Sequence, residues 1–316
     1  MLTNLRIGTS GWSYPSGRGT WNGIFYPPAP KARATKGSAR PKFDELAYYA
    51  EHFDTVEINT TFYGQPKATV AKSWANRTPA GFEFSLKLYR LLTHGEGPSG
   101  PRLDSDLIDE YRRGIEPLAE AGKLGAVLAQ FPPSFKQTAG SEAYLDELLS
   151  RFRNYPMAVE LRHRSWSDNF GSTLSLLNQH NAALTQIDEP KFKLSIRQNQ
   201  LPNIAGFYYM RLHGRNATQW WKHDKAEDRY NYLYSADELK SFSETAGAAR
   251  RLVKKFYLYF NNHFASKAVV NAVMIKEQLG EPVTGTYPKE FVERYPETAS
   301  IVSTGASPQL SPLLFE

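Results

Sequence analysis

A single-domain (β/α)₈ barrel of the α/β class is the fold the sequence predicts. Short β-type runs alternate with longer helical patterns along the chain, which argues for βαβ units and a parallel sheet. There are eight such runs, which argues for a sheet closed into a barrel. The 316 residues fit one barrel, and a hydrophobic content of 41% supplies its core.

The first strand, Leu5–Ser10, leads into 14–41, a stretch rich in glycine, proline and basic residues that decorates the first strand–helix loop. Within it, 31–40 is basic and small, the composition of a mobile segment. Helical period over Phe43–Phe53 precedes the second strand, Asp54–Asn59, and Val70–Arg77 separates that strand from the third, Phe82–Leu88. Ser105–Ala121 leads to Gly125–Phe131, Glu142–Phe152 to Met157–Arg162, and Ser172–Asn181 to Ala182–Asp188. The next crossover is the weakest: Pro190–Pro202 has little helical period and reads as a loop before Gly206–His213. Ala236–Lys254 and Lys267–Leu279 flank the last strand, Lys255–Asn261. The barrel then occupies about residues 5–280, and the proline-spaced extension 281–316 packs over its surface.

Composition narrows the function classes. With no cysteine there is no disulfide, thiolate metal site or cysteine nucleophile. The N-terminus lacks an apolar signal-peptide core and no run of about 18 apolar residues occurs, so no membrane role and a cytoplasmic location are expected. The net charge of +6 favours anionic ligands, from phosphates to nucleic acid. There is neither a GxxxxGK[ST] loop nor a strand-ending GxGxxG, so no nucleotide or dinucleotide cofactor is expected.

The strand ends carry the chemical signal. Side chains two apart in a strand share a face. Near the strand ends polar residues repeat with that spacing: Glu57 and Asn59, Ser85 and Lys87, Glu160 and Arg162, Gln186 and Asp188, Tyr209 with Arg211 and His213, and Tyr259 with Asn261; Gln130 ends the fourth strand. In this barrel class the C-terminal strand ends hold the active site.

Eight segments in order, including IGTSGWSY (7–14), FDTVEINTTFYG (53–64), AVELRHRSW (158–166), YMRLHG (209–214) and YFNNHFASKAVVNA (259–272), resemble the YecE-like family, domain of unknown function 72. The resemblance covers 5–279 and implies a TIM barrel without naming a reaction. It marks Glu57, Asn59, Phe62, Tyr63, Lys87, Gln130, Glu160, Arg162, Trp166, Arg211, His213, Gly214, Asn261 and Asn262. The basic insert 31–40 and the extension past the last helix depart from the family pattern.

These residues suggest an enzyme acting on a small anionic or sugar-like ligand by acid–base hydrolysis. Glu57 and Glu160 would be acid and base, and His213 a further proton carrier. Lys87, Arg162 and Arg211 would hold an anion. Asn59, Tyr63, Gln130, Trp166, Asp188, Asn261 and Asn262 would line the substrate. Glu57, Glu160, Asp188 and His213 are also ligand types for a divalent metal, but the cations on the same rim oppose one, and no metal is assigned. The same parts leave two alternatives open: a nucleic-acid-processing or nucleic-acid-binding barrel drawing on the basic insert, and a metabolite-binding protein without turnover. A structural ion-pair network plugging the barrel mouth would use the same charges.

Overall fold

The computed structural model of the chain describes residues 4–28, 43–96, 100–198, 201–220 and 224–305; the basic stretch 31–40 lies outside them. Strand β1 (Leu5–Ser10) pairs in parallel with β2 (Thr55–Ile58) on one side and β9 (Lys255–Phe260) on the other. From β2 the sheet continues through β3 (Glu83–Lys87), β4 (Leu124–Gln130), β5 (Met157–Glu160) and β6 (Ala183–Leu184). From β9 it continues through β8 (Phe207–Leu212) to β7 (Gln186–Asp188). Only Thr185 separates β6 from β7, and its N–H donates to the Val159 carbonyl at 2.8 Å. The sixth strand is thus split in two, one half on β5 and the other on β8, and the nearly closed barrel has nine parallel segments.

Alternation sets the layers. Val56 and Ile58, Phe84 and Leu86, and Val127 and Ala129 pack outward against the helices. Ala126, Leu128, Ala158, Ala183, Phe207, Tyr209, Tyr257 and Tyr259 form a second apolar cluster within the barrel. Close packing between β1 and β2 requires Gly8, because a Cβ there would lie 2.3 Å from the Thr55 carbonyl oxygen.

The outer helices begin at side-chain caps. Asp44 accepts from the Leu46 and Ala47 amides to start α1 (Glu45–His52). After the short α2 (Thr60–Tyr63) come α3 (Ala68–Asn76) and α4 (Ser105–Glu120), the latter capped by Asp104. Thr138 caps α5 (Ala139–Arg151), which is followed by α6 (Ser165–Asp168) and α7 (Phe170–Gln179). Ser235 and Glu238 form a reciprocal capping box on α8 (Ala236–Ala249). Helix α9 (Lys267–Gln278) and the short α10 (Lys289–Arg294) complete the set. Between β7 and β8 the described residues form no helix, in line with the weak period of 190–202. The tail folds back on the barrel: Tyr287 meets His52 of α1 with ring centroids 4.6 Å apart, and Tyr295 donates to the Ala265 carbonyl ahead of α9. No helix among the described residues is long and apolar enough to cross a membrane.

Candidate active site at the barrel mouth

Register decides which polar side chains meet. Glu57 is aligned with Ser10 on β1 and with Ser85 on β3, and Gln130 is aligned with Glu160. Arg211 enters from β8 and lies between the two glutamates. Its Nε and Nη2 donate to Glu57 at 2.9 and 2.7 Å, and its Nη1 donates to Glu160 at 2.5 Å. Ser10 and Tyr209 donate to the two Glu57 oxygens, each at 2.7 Å. Arg162 donates twice to the other Glu160 oxygen, at 2.8 and 2.6 Å, and its Nη1 lies 3.1 Å from Glu189. Glu57, Glu160 and Arg211 are at most 2% exposed, so the centre of this network lies out of solvent.

Electrostatics follow from that packing. Burial alone raises the Glu160 carboxyl, but the Arg211 and Arg162 guanidiniums outweigh it and hold Glu160 well below the usual carboxylate range. Burial, with Arg211 beside it, lowers His213 to about 3 and keeps its imidazole neutral. Its Nδ1 lies 2.9 Å from the Asn261 amide nitrogen, and its Nε2 lies 3.8 Å from Glu160. Gly214, with φ of +90°, turns the chain directly after His213; its N–H donates to Tyr234 at 2.8 Å.

Above this network lies a cavity of about 390 Å³. Arg211, Arg162 and His213 reach its wall, as do Asn59, Tyr63, Lys87, Gln130 and Asn261. Trp12, Tyr14, Tyr230 and His263 line it as well. His263 stacks on Tyr14 with centroids 4.4 Å apart, and Tyr230 lies 4.7 Å from the same imidazole. Every guanidinium nitrogen of Arg162 and Arg211 is already paired with a carboxylate. The unengaged groups are others. The Lys87 amine makes no hydrogen bond or ion pair among the described residues, and its Nζ stands 3.8 Å from the centroid of the Phe62 ring. Burial, then the neighbouring Arg211, lowers the Lys87 amine to about 7. Asn59 Oδ1 is buried without a donor. Burial, followed by Lys87 and Arg162, lowers His94 to about 4, and its ring lies 4.8 Å from Phe62.

Five expected site residues sit elsewhere or are already engaged. Glu57 and Glu160 lie beneath the cavity rather than on its wall, and each carboxylate oxygen receives a donor from the protein. Glu160 is held ionised, as the base of an acid–base pair would be, but both of its oxygens are taken up by Arg162 and Arg211. Asp188 faces outward: β7 aligns it with Leu212 of the outer layer, and its carboxylate accepts from Arg215 at 2.8 and 3.1 Å and from Tyr234 at 2.7 Å. Trp166 is fully buried, donates to the Phe135 carbonyl at 2.8 Å and stacks on the Phe135 ring. Asn262 is buried too, donating to the Tyr232 carbonyl and Asn271, each at 2.8 Å. Tyr63 is at the rim, 76% exposed.

Glu189, Ser10, His94, Tyr230 and His263 belong to the site or its support without having been expected there. Glu189 follows from alternation once the inward parity of the sixth strand is known. Ala183 points into the barrel, and 189 shares its parity, whereas 188 does not. A larger groove of about 710 Å³ opens on the outer face where no helix covers β7 and β8. Its acid, Asp188, is already paired, so the smaller cavity at the strand ends is the candidate site. Among the described residues no three His, Asp or Glu side chains converge as a cation site.

Comparison with known proteins agrees with this architecture. A family model described as "Protein of unknown function DUF72" matches residues 6–295. The UPF0759 protein YunF of Bacillus subtilis is 28% identical over 299 residues, spanning 91% of this chain and 99% of the relative. The UPF0759 protein YecE of Escherichia coli is 34% identical over 120 residues, 37% of this chain and 41% of that protein. A crystal structure of a DUF72 family protein from Thermotoga maritima superposes with a TM-score of 0.73 at 33% identity, covering 88% of this chain and 99% of the other. One from Enterococcus faecalis gives the same TM-score at 26% identity, covering 88% and 96%.

Proposed function

The chain belongs to the DUF72 family, and on that footing we propose that it is an enzyme acting on a small sugar-like substrate, neutral or anionic, by proton transfer at the barrel mouth. One observation carries this reading. The cavity is lined by Lys87, whose amine has no hydrogen-bond or ion-pair partner among the described residues, and by Asn59, whose buried Oδ1 likewise has no donor among them. A buried acceptor without a partner costs about 1–3 kcal/mol, which a ligand hydroxyl would recover. Aromatic rings of Trp12, Tyr14, Tyr63 and Tyr230 supply flat apolar surface for a sugar face, and the volume suits a small metabolite.

Roles follow from what is uncommitted. Lys87 is the group fit to move a proton near neutral pH, while His213, lowered to about 3, serves as a neutral hydrogen-bonding group. Glu57, Glu160, Arg162 and Arg211 form the fixed charged frame that orients them. Hydrolysis through a Glu57–Glu160 pair is not part of this proposal, because both carboxylates are saturated. A thermal-shift panel of neutral sugars, sugar phosphates, inorganic phosphate, nucleotides and divalent metals tests the reading. A sugar or sugar phosphate raises the melting temperature of the wild type by mass action, and Asn59→Ala abolishes that rise. Stabilisation by nucleotides or metals alone, with no sugar effective, rules the proposal out.

A further inference from the structure

Lys87 is unusual among the charges of this barrel. The other interior cations at the mouth, Arg162 and Arg211, are each tied to two carboxylates. Lys87 ends β3 and reaches the cavity with an aromatic face beside it and no anion in contact. A lysine placed to bind an anion keeps its charge and leaves the charge exposed to the ligand. A lysine desolvated beside guanidiniums is disposed to give its proton up, which the Phe62 face only partly offsets.

We infer that Lys87 is an imine-forming amine that attacks the carbonyl carbon of a polyhydroxy aldehyde or ketone held in the mouth cavity. The inference rests on the sugar-like substrate proposed above and narrows it to sugars presenting an open-chain carbonyl. The step is balanced without a further reagent. The nitrogen lone pair forms the C–N bond as the carbonyl π pair moves to oxygen. One amine hydrogen passes to that oxygen, giving a carbinolamine. The second leaves with the hydroxyl as water as the C=N bond forms. Desolvation beside cations is a recognised way to activate such an amine. Asn59 lines the same cavity, and its buried Oδ1, without a donor among the described residues, would accept from a hydroxyl of a sugar that reaches it.

The experiment uses the full chain with D-glyceraldehyde and cyanoborohydride at pH 7, read by peptide mass mapping. A reduced adduct on Lys87 should exceed that on surface lysines such as Lys72 or Lys289 by ~100-fold or more, given how much larger its neutral fraction is. The adduct should vanish in Lys87→Arg, and an apolar aldehyde of similar size should label Lys87 far less than glyceraldehyde does. Adduct spread evenly over the lysines overturns the inference. If sugars still raise the melting temperature in that case, the sugar-binding reading stands and only the imine falls. If propanal labels Lys87 as well as glyceraldehyde does, the amine is reactive but the cavity selects no sugar, and both fall. Labelling of wild-type Lys87 as a function of pH supplies a readout that needs no variant: half-maximal reactivity near pH 7 supports the inference, and near 10.5 overturns it.

Discussion

At the N-terminal end of the barrel, Glu83 gathers Arg6, Lys255 and Tyr257; at the C-terminal end, Glu57 and Glu160 share Arg211. The residue types are alike, but the settings differ. Lys255 donates to both Glu83 oxygens at 2.9 Å while its side chain is 40% exposed, so water supports the charge. Arg211 is 2% exposed and depends on its two carboxylates. Neither the mouth cavity nor the outer groove reaches Glu83. At the mouth, by contrast, a cavity adjoins the network, and the Lys87 amine and Asn59 Oδ1, facing or near it, have no hydrogen-bond partner among the described residues. Ion pairs alone therefore do not mark a functional site; the informative feature is a polar group left unpaired beside an open volume.

The strongest test of this contrast is Arg211→Met. It leaves two buried carboxylates without their shared cation and should cost about 3–5 kcal/mol in denaturant unfolding at pH 7. A loss below 1 kcal/mol would mean that water reaches Glu57 and Glu160. At the other end, Glu83→Gln weakens a partly solvated cluster and should cost about 1–3 kcal/mol. Its sugar-induced melting shift should match that of the wild type; a lost shift would join the two ends into one functional unit.

Acid unfolding sharpens the comparison at the mouth. Folded His213 stays neutral down to about pH 3, while in the unfolded chain it takes up a proton near 6.5. Its contribution is therefore complete above 6.5 and lost as pH falls toward 3. Glu160, held below its ordinary value, contributes above about 4.5, and that contribution is lost as pH falls through its lowered folded value. His213→Gln should flatten the stability slope between pH 6.5 and 4.5, measured by urea midpoints; an unchanged slope would show that His213 is solvated. A further effect concerns Lys87. Its amine is harder to protonate in the fold than in the unfolded chain, so it destabilises the protein below pH 7 and ceases to do so near 10.5. Lys87→Met should raise the melting temperature at pH 6 and lose that advantage by pH 10.

Strand alternation made much of the site legible in the sequence. It brought Asn59, Lys87, Gln130, Arg162, Arg211, His213 and Asn261 to one end of the barrel, and all of these reach the cavity wall. Alternation failed at the sixth strand, where the choice of Asp188 over Glu189 depended on which parity faces inward. That parity is fixed by pairing with β5 and β8 and has no local signal. Trp166 and Asn262 illustrate a second limit. Both follow a strand end, and only the packing of Phe135 and of Tyr232 with Asn271 shows that the Trp166 N–H and the Asn262 amide nitrogen donate inside the fold. The commitment of Glu57 and Glu160 to Arg211 was equally hidden, because it joins residues 154 and 51 positions apart.

The central claim is that Lys87 is an uncommitted amine at a ligand site. Its titration tests this most directly, followed by carbon NMR on protein labelled at the lysine ε-carbons and assigned with Lys87→Arg. A midpoint near 7 is the result expected from its crowded, unpaired setting. A midpoint near 10.5 would mean that water or an anion satisfies the ammonium, leaving the mouth as structural as the cluster around Glu83.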